Sequence, residues 1–147
     1  MTTIKNVFAA ASFEEKSAWV QLAGMALLLG GYFTAAGMLL AEGVTGIAPF
    51  IPLFIVTMIL LVVFQAAGHA VAALTSPSED ADERDRLIAW RAEARSSYVL
   101  GAGLIGAVAC LVLAVDTAWV ANVLLLSMAL SQMLCCLLQI VSYRRGI

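Results

Sequence analysis

The stretch Ile47–Leu74, IAPFIPLFIVTMILLVVFQAAGHAVAAL, decides the fold, because it contains no Asp, Glu, Lys or Arg from end to end. A helix rises 1.5 Å per residue and needs about 20 residues to cross about 30 Å of hydrocarbon. This run is long enough. Three more runs free of those four residues follow the same rule: Ser17–Leu40, Ser97–Val115 and Ala118–Val141. Lipid offers the backbone no hydrogen bonds, so each crossing is expected to be a helix. The chain is 63% hydrophobic and 12% charged over 147 residues, against about 45–50% and about 25% for a soluble domain. A water-soluble fold of this length cannot hide so much apolar surface. The expected class is therefore all-α, an integral membrane four-helix bundle in a single transmembrane domain.

Charge gives the bundle a direction. Lys5 and Lys16 precede the first run; Arg84, Arg86, Arg91 and Arg95 lie between the second and third; Arg144 and Arg145 follow the fourth. The two other connections carry only Glu42 and Asp116. Lys and Arg collect on the cytoplasmic side of membranes, which predicts an N-in/C-in topology, with both termini cytoplasmic. Trp19, Tyr98 and Tyr143 fall at the expected inner interface and Trp119 at the outer one, where such rings concentrate. The first run is longer than the roughly 7–15 residue core of a signal peptide, so a retained helix is expected there.

The connections have their own chemistry. Short links at Ala41–Gly46 and Asp116–Thr117 force antiparallel neighbours. Gly43 and Gly46 suit a turn, and Pro49 and Pro52 suit the opening of a helix, where missing N–H groups cost least. The long connection, Thr75–Ser96, predicts a cytoplasmic helix over about 76–96, joined to the third span. Ser76-Pro77-Ser78-Glu79 reads as a capping box, as does Ser12-Phe13-Glu14-Glu15 before the first span. Acids lead and arginines follow, which suits the helix dipole, and Asp80–Arg84 and Asp82–Arg86 are spaced i,i+4 with the acid first. Leu87, Trp90, Ala94 and Tyr98 form an apolar stripe on this helix.

Three features are candidate sites. The first is intramembrane. Gln65 and His69 are one turn apart in the second run, and Gln132, Cys135, Cys136 and Gln139 share a face in the fourth. Counted from the inner ends of two helices that run the same way, they are level, roughly 7–14 Å from the inner edge at 1.5 Å per residue. Gln65, His69, Gln132, Cys135 and Cys136 form either a ligand site or interhelical hydrogen-bonding glue. Imidazole and thiolate suit Zn or Cu, and His69 suits haem iron; against this, there is one histidine and no carboxylate nearby. The second feature is a ladder of small residues, Gly31 and Ala35 in the first run and Ala102, Gly106, Cys110 and Ala114 in the third. Such spacing lets helices approach closely, within one bundle or across a homo-oligomer. The third is charged: Asp82, Glu83, Arg84, Asp85, Arg86, Trp90, Arg91 and Arg95, with Arg144 and Arg145. It reads as a topology-setting solvated face, as a docking surface for a cytoplasmic protein, or as a contact for anionic lipid headgroups. No Lys/Arg run is dense enough for nucleic acid.

Walker, H-E-x-x-H, G-x-S-x-G and C-x-x-C motifs are absent from the sequence. Spans without an acid or a base argue against an ion-coupled pump. The start Phe13-Glu14-Glu15-Lys16…Ala18-Trp19, the segment Asp82-Glu83-Arg84-Asp85…Ile88…Arg91 and the close Tyr143-Arg144-Arg145-Gly146 resemble a group of small four-helix bacterial inner-membrane proteins without assigned function. The resemblance implies a membrane bundle and no catalytic residues. The leading functional expectation is a non-enzymatic accessory, regulatory or assembly component. The alternatives are a ligand-binding or transport protein and, ranked below both, an enzyme of lipid-soluble substrates. The topology is checked by labelling with a membrane-impermeant thiol reagent. Val44→Cys should react from outside intact cells and Asp80→Cys only after lysis; the reverse pattern overturns the orientation.

Overall fold

The computed structural model describes residues 13–75 and 82–145. They form four helices: α1 Phe13–Ala41, α2 Phe50–Thr75, α3 Glu83–Val112 and α4 Thr117–Arg145. Each is long and apolar enough to cross a membrane. The expected cap at Ser12, the capping box at Ser76–Glu79 and the Asp80 partner of Arg84 lie outside the described residues.

α3 unites the expected cytoplasmic helix and the third span in one rod of 30 residues. Its length of about 45 Å exceeds the hydrocarbon thickness by about 15 Å, so part of it stands clear of the apolar layer. Its cap is Asp82: the carboxylate accepts from the Glu83 N–H at 2.7 Å, and the Asp85 carboxylate accepts from the Asp82 N–H at 3.3 Å. Asp82 is thus spent on satisfying orphan donors of the first turn rather than on the expected pair with Arg86. α2 begins at Phe50, so Pro49 precedes it and Pro52 sits within its first turn.

The two short turns are built alike. After α1, Val44 N–H donates to Leu39 O and Gly43 N–H to Leu40 O, both at 3.1 Å. After α3, Val115 N–H donates to Cys110 O at 2.9 Å and Ala114 N–H to Leu111 O at 3.1 Å. Each is a Schellman cap, which satisfies two end carbonyls by placing one residue in the left-handed region. That residue is Gly43 (φ 83°) in the first turn and Ala114 (φ 54°) in the second. This cap ends α3 at Val112, short of the expected Val115.

Helix packing is concentrated in three pairs: α1 with α2, α1 with α4, and α3 with α4. The helices therefore follow each other in the order α2, α1, α4, α3, with α1 and α4 between flanking partners. Tyr32, Ala36, Phe50 and Ala118 form a buried cluster near the two turns. Close approach is allowed by Gly68, where a Cβ would collide with Val20 of α1, and by Gly103, where it would collide with Ser127 of α4. The α3 residues turned inward are Ile88, Ala92, Ser96 and Ala107.

That face differs from the expected small-residue ladder. Ala102 and Ala114 are exposed, and Cys110 is half-buried. A Cβ at Gly106 or Gly31 would meet nothing within 4 Å, while Ala35 is half-buried. The seam inside the molecule runs one residue away, through Gly103 and Ala107. Composition alone could not choose between these registers, because 101–110 is small-residue-rich all round.

Ala114 bears a Cβ in a conformation that disfavours one. Ala114→Gly should raise stability by about 1 kcal/mol, measured by reversible unfolding in mixed micelles. Gly43→Ala in the matching turn should lower it by a similar amount.

Candidate functional site

The intramembrane polar groups meet around a residue that the sequence reading passed over. Gln21 of α1 lies between His69 of α2 and Cys136 of α4. Its Nε2 is 3.5 Å from His69 Nε2, and its Oε1 accepts from Cys136 Sγ at 3.4 Å. Ser17, one turn earlier on α1, places Oγ 3.1 Å from His69 Nδ1. The amide Nε2 can only donate, so His69 Nε2 is the acceptor and its proton sits on Nδ1, facing Ser17. The contacts then form a chain with one direction: Cys136 thiol to Gln21 amide, Gln21 amide to imidazole, imidazole to Ser17 hydroxyl. Both ring nitrogens of His69 are thereby engaged.

The expected cluster is partly assembled. Gln65 points at α1 and donates to Gln21 O at 3.4 Å, while its Oε1 is buried without a partner among the described residues. Cys135 is buried and its Sγ accepts from Gln139 of its own helix at 3.5 Å. Gln132 is exposed, so it does not belong to the cluster. The second and fourth helices pack mainly against α1 rather than on each other, so equal depth brings their polar groups level without bringing them together. The same counting applied to α1 finds Gln21 four residues beyond Ser17, near the start of its run, where it is level with His69.

As arranged, these groups join α1 to both neighbours. A metal at His69 or Cys136 would have to displace the contacts to Ser17 or Gln21. No group of three or more His, Cys, Asp or Glu among the described residues is placed to hold a metal ion.

A second constellation lies at the end of the bundle where α1 and α3 begin and α4 finishes. Arg144 of α4 donates from Nε to Glu15 Oε1 at 3.3 Å, and its guanidinium lies 5.3 Å from the Trp19 ring centroid. Tyr143 sits among Asp85, Glu14 and Arg84. These contacts tie α1, α3 and α4 together. Of the residues read as a docking or headgroup surface, Arg144 is thus engaged internally and Asp85 is half-buried. Asp82, Glu83, Arg84, Arg86, Trp90, Arg91, Arg95 and Arg145 are exposed. The Leu87, Trp90 and Tyr98 stripe faces outward, with Trp90 69% and Tyr98 80% exposed. The inward stripe on that helix is Ile88, Ala92 and Ser96 instead, and Ser96 O receives the Ser131 hydroxyl of α4 at 2.8 Å.

Compared with protein families, curated proteins and solved structures, the chain matches none.

Two glutamines on one seam should respond differently to the same change. Gln21→Leu strands His69 and Cys136 and should cost about 1–2 kcal/mol. Gln65→Leu removes one long hydrogen bond and one unsatisfied carbonyl, and should be neutral or stabilising. Unfolding in mixed micelles measures both; equal losses would show that Gln21 is not the hub.

Proposed function

We propose that this chain is a small non-enzymatic integral protein of the bacterial inner membrane, with both termini cytoplasmic. It works as an accessory, regulatory or assembly component through helix–helix and cytoplasmic contacts. The observation that carries this reading is the overhanging start of α3. Leu87 and Trp90 are exposed there, flanked by exposed Arg86, Arg91 and Arg95. Trp and Arg are the residues most often found at the energetic centre of protein interfaces. Their partner on this face is a cytoplasmic protein with acidic groups around an apolar pocket. Among the described residues, Lys16 stands at the start of α1, Arg84, Arg86, Arg91 and Arg95 in the first half of α3, and Arg144 and Arg145 at the end of α4; this collection at one end of the bundle supports the orientation.

The alternative is an intramembrane site for a metal, haem or a small lipophilic molecule at Gln65, His69, Cys135 and Cys136. It draws on the Gln65 carbonyl, which is buried without a partner among the described residues. That reading requires purified protein to carry stoichiometric metal or chromophore, lost on His69→Ala.

The docking reading is tested by placing a photo-crosslinking aromatic amino acid at Trp90 in living cells. A discrete protein adduct should form. It should fall at least tenfold when Arg86→Glu and Arg91→Glu are combined, with membrane insertion unchanged. Adducts to lipid alone, or adducts indifferent to charge reversal, would overturn it.

A further inference from the structure

The chain carries four glutamines, and all of them stand on α1, α2 or α4. Gln21, Gln65 and Gln139 each hydrogen-bond within the molecule. Gln132 of α4 is exposed, and its carboxamide enters no hydrogen bond among the described residues. Two landmarks on the same helix give its depth. Arg144, twelve residues on, is charged and paired with Glu15, about 18 Å along the helix at 1.5 Å per residue. Trp119, thirteen residues earlier, is 48% exposed at the opposite end, about 20 Å away. Gln132 therefore sits close to the middle of a hydrocarbon layer about 30 Å thick. Ester and headgroup oxygens lie at the edges of that layer, about 15 Å off, and acyl chains hold neither donor nor acceptor. An amide left unpaired at this depth is costly.

We infer that Gln132 is the centre of a homodimer seam, in which α4 of one copy packs along α4 of a second and the two Gln132 carboxamides bond each other. The chemistry of the group selects this occupant. A carboxamide holds both a donor and an acceptor, so it is its own complement. Copies inserted with the same orientation are related by a two-fold axis along the membrane normal, and such an axis sets each residue at the depth of its twin. Each Gln132 Nε2 then donates to the other's Oε1. A foreign helix has to bring a donor and an acceptor to that depth by separate means, whereas a second copy does so by symmetry. The neighbours on the helix fit. Leu125, Met128, Gln132 and Gln139 fall at i, i+3, i+7 and i+14, the spacing of a left-handed coiled-coil seam, where one polar residue fixes register and partner number. Met128 is 52% exposed, and Leu125 and Gln139 are half-buried. Beside this strip Ser131 bonds α3 and Cys136 bonds α1, so the strip runs along the opening between those two partners.

The seam stands apart from the Trp90 surface, so the test below and the photo-crosslinking test can fail separately. Full-length chains labelled at the C-terminus with donor or acceptor fluorophores are reconstituted in phosphatidylcholine vesicles, and energy transfer is followed as the protein is diluted in lipid. A monomer–dimer curve is expected. Gln132→Leu should weaken the dimer about five- to thirtyfold. Gln132→Asn, which keeps donor and acceptor, should stay within about threefold of the parent. Gln132 is exposed, so neither substitution should ease unfolding of the dilute monomer, which separates a lost seam from misfolding. Mild oxidation should join Met128→Cys chains into dimers well above the unsubstituted background. It should not join Leu137→Cys chains, whose position is 44% exposed on another face of α4. Energy transfer absent at every dilution, a Gln132→Leu curve that overlies the parent's, or crosslinking through position 137 in place of position 128 would each overturn the assignment.

Discussion

Hydrocarbon cannot exchange hydrogen bonds with a protein, so a polar group carried below the interface is satisfied only by a protein partner. The backbone answers with four helices. The side chains answer in two ways. Thr34, Thr57, Asn122 and Ser127 donate to the carbonyl four residues back on their own helix. Ser17, Gln21, His69, Cys136 and Ser131 reach across to another helix. The second group holds helices together, and all of it involves α1 or α4.

That division matches the order of packing. α4 holds the largest set of buried small and polar residues, among them Asn122, Ser127, Ser131, Cys135 and Cys136, and it lies between α1 and α3. α2 has the highest mean hydropathy, 2.5, and one of the least buried apolar stretches. In water the most apolar helix would be the most buried. In lipid the solvent is itself apolar, so close packing and polar contacts decide which helix is central. Ile59, Val62, Val63 and Val71 of α2 are 59–68% exposed and face the hydrocarbon at no hydrophobic cost.

Four spans were legible in the sequence because their signal is length and absence of charge, which neighbours do not alter. Helix adjacency was not legible. Depth counting placed His69 level with Cys136, correctly, yet it gave each residue a height and no azimuth. Gln132 has the right height and points outward, whereas Gln21 has the right height and the right face. In α3 the stripe Leu87, Trp90 and Tyr98 was visible as a periodicity, but a second stripe, Ile88, Ala92 and Ser96, runs beside it. Small residues won the inward place, since α4 can approach Ala92 and Ser96 closely and cannot approach Trp90. Hydrophobicity alone ranks these stripes in the opposite order.

The α1–α2 seam shows how few contacts suffice when the solvent is indifferent. Near the turns, Phe50 is buried against Tyr32 and Ala36. Near the other end, His69 bonds Ser17 and Gln21 while Gly68 accommodates Val20. Between them lie the Gln65 contact and the close approach of Phe64 to Gly24. Rotation of α2 about its axis would break the fastenings at both ends together, so two short patches set its azimuth. The azimuth in turn presents Phe50 and Phe54 to Tyr32 and leaves Ile51 exposed. The aromatic packing at one end of the seam thus depends on the hydrogen bonds at the other, through the rigidity of two helices.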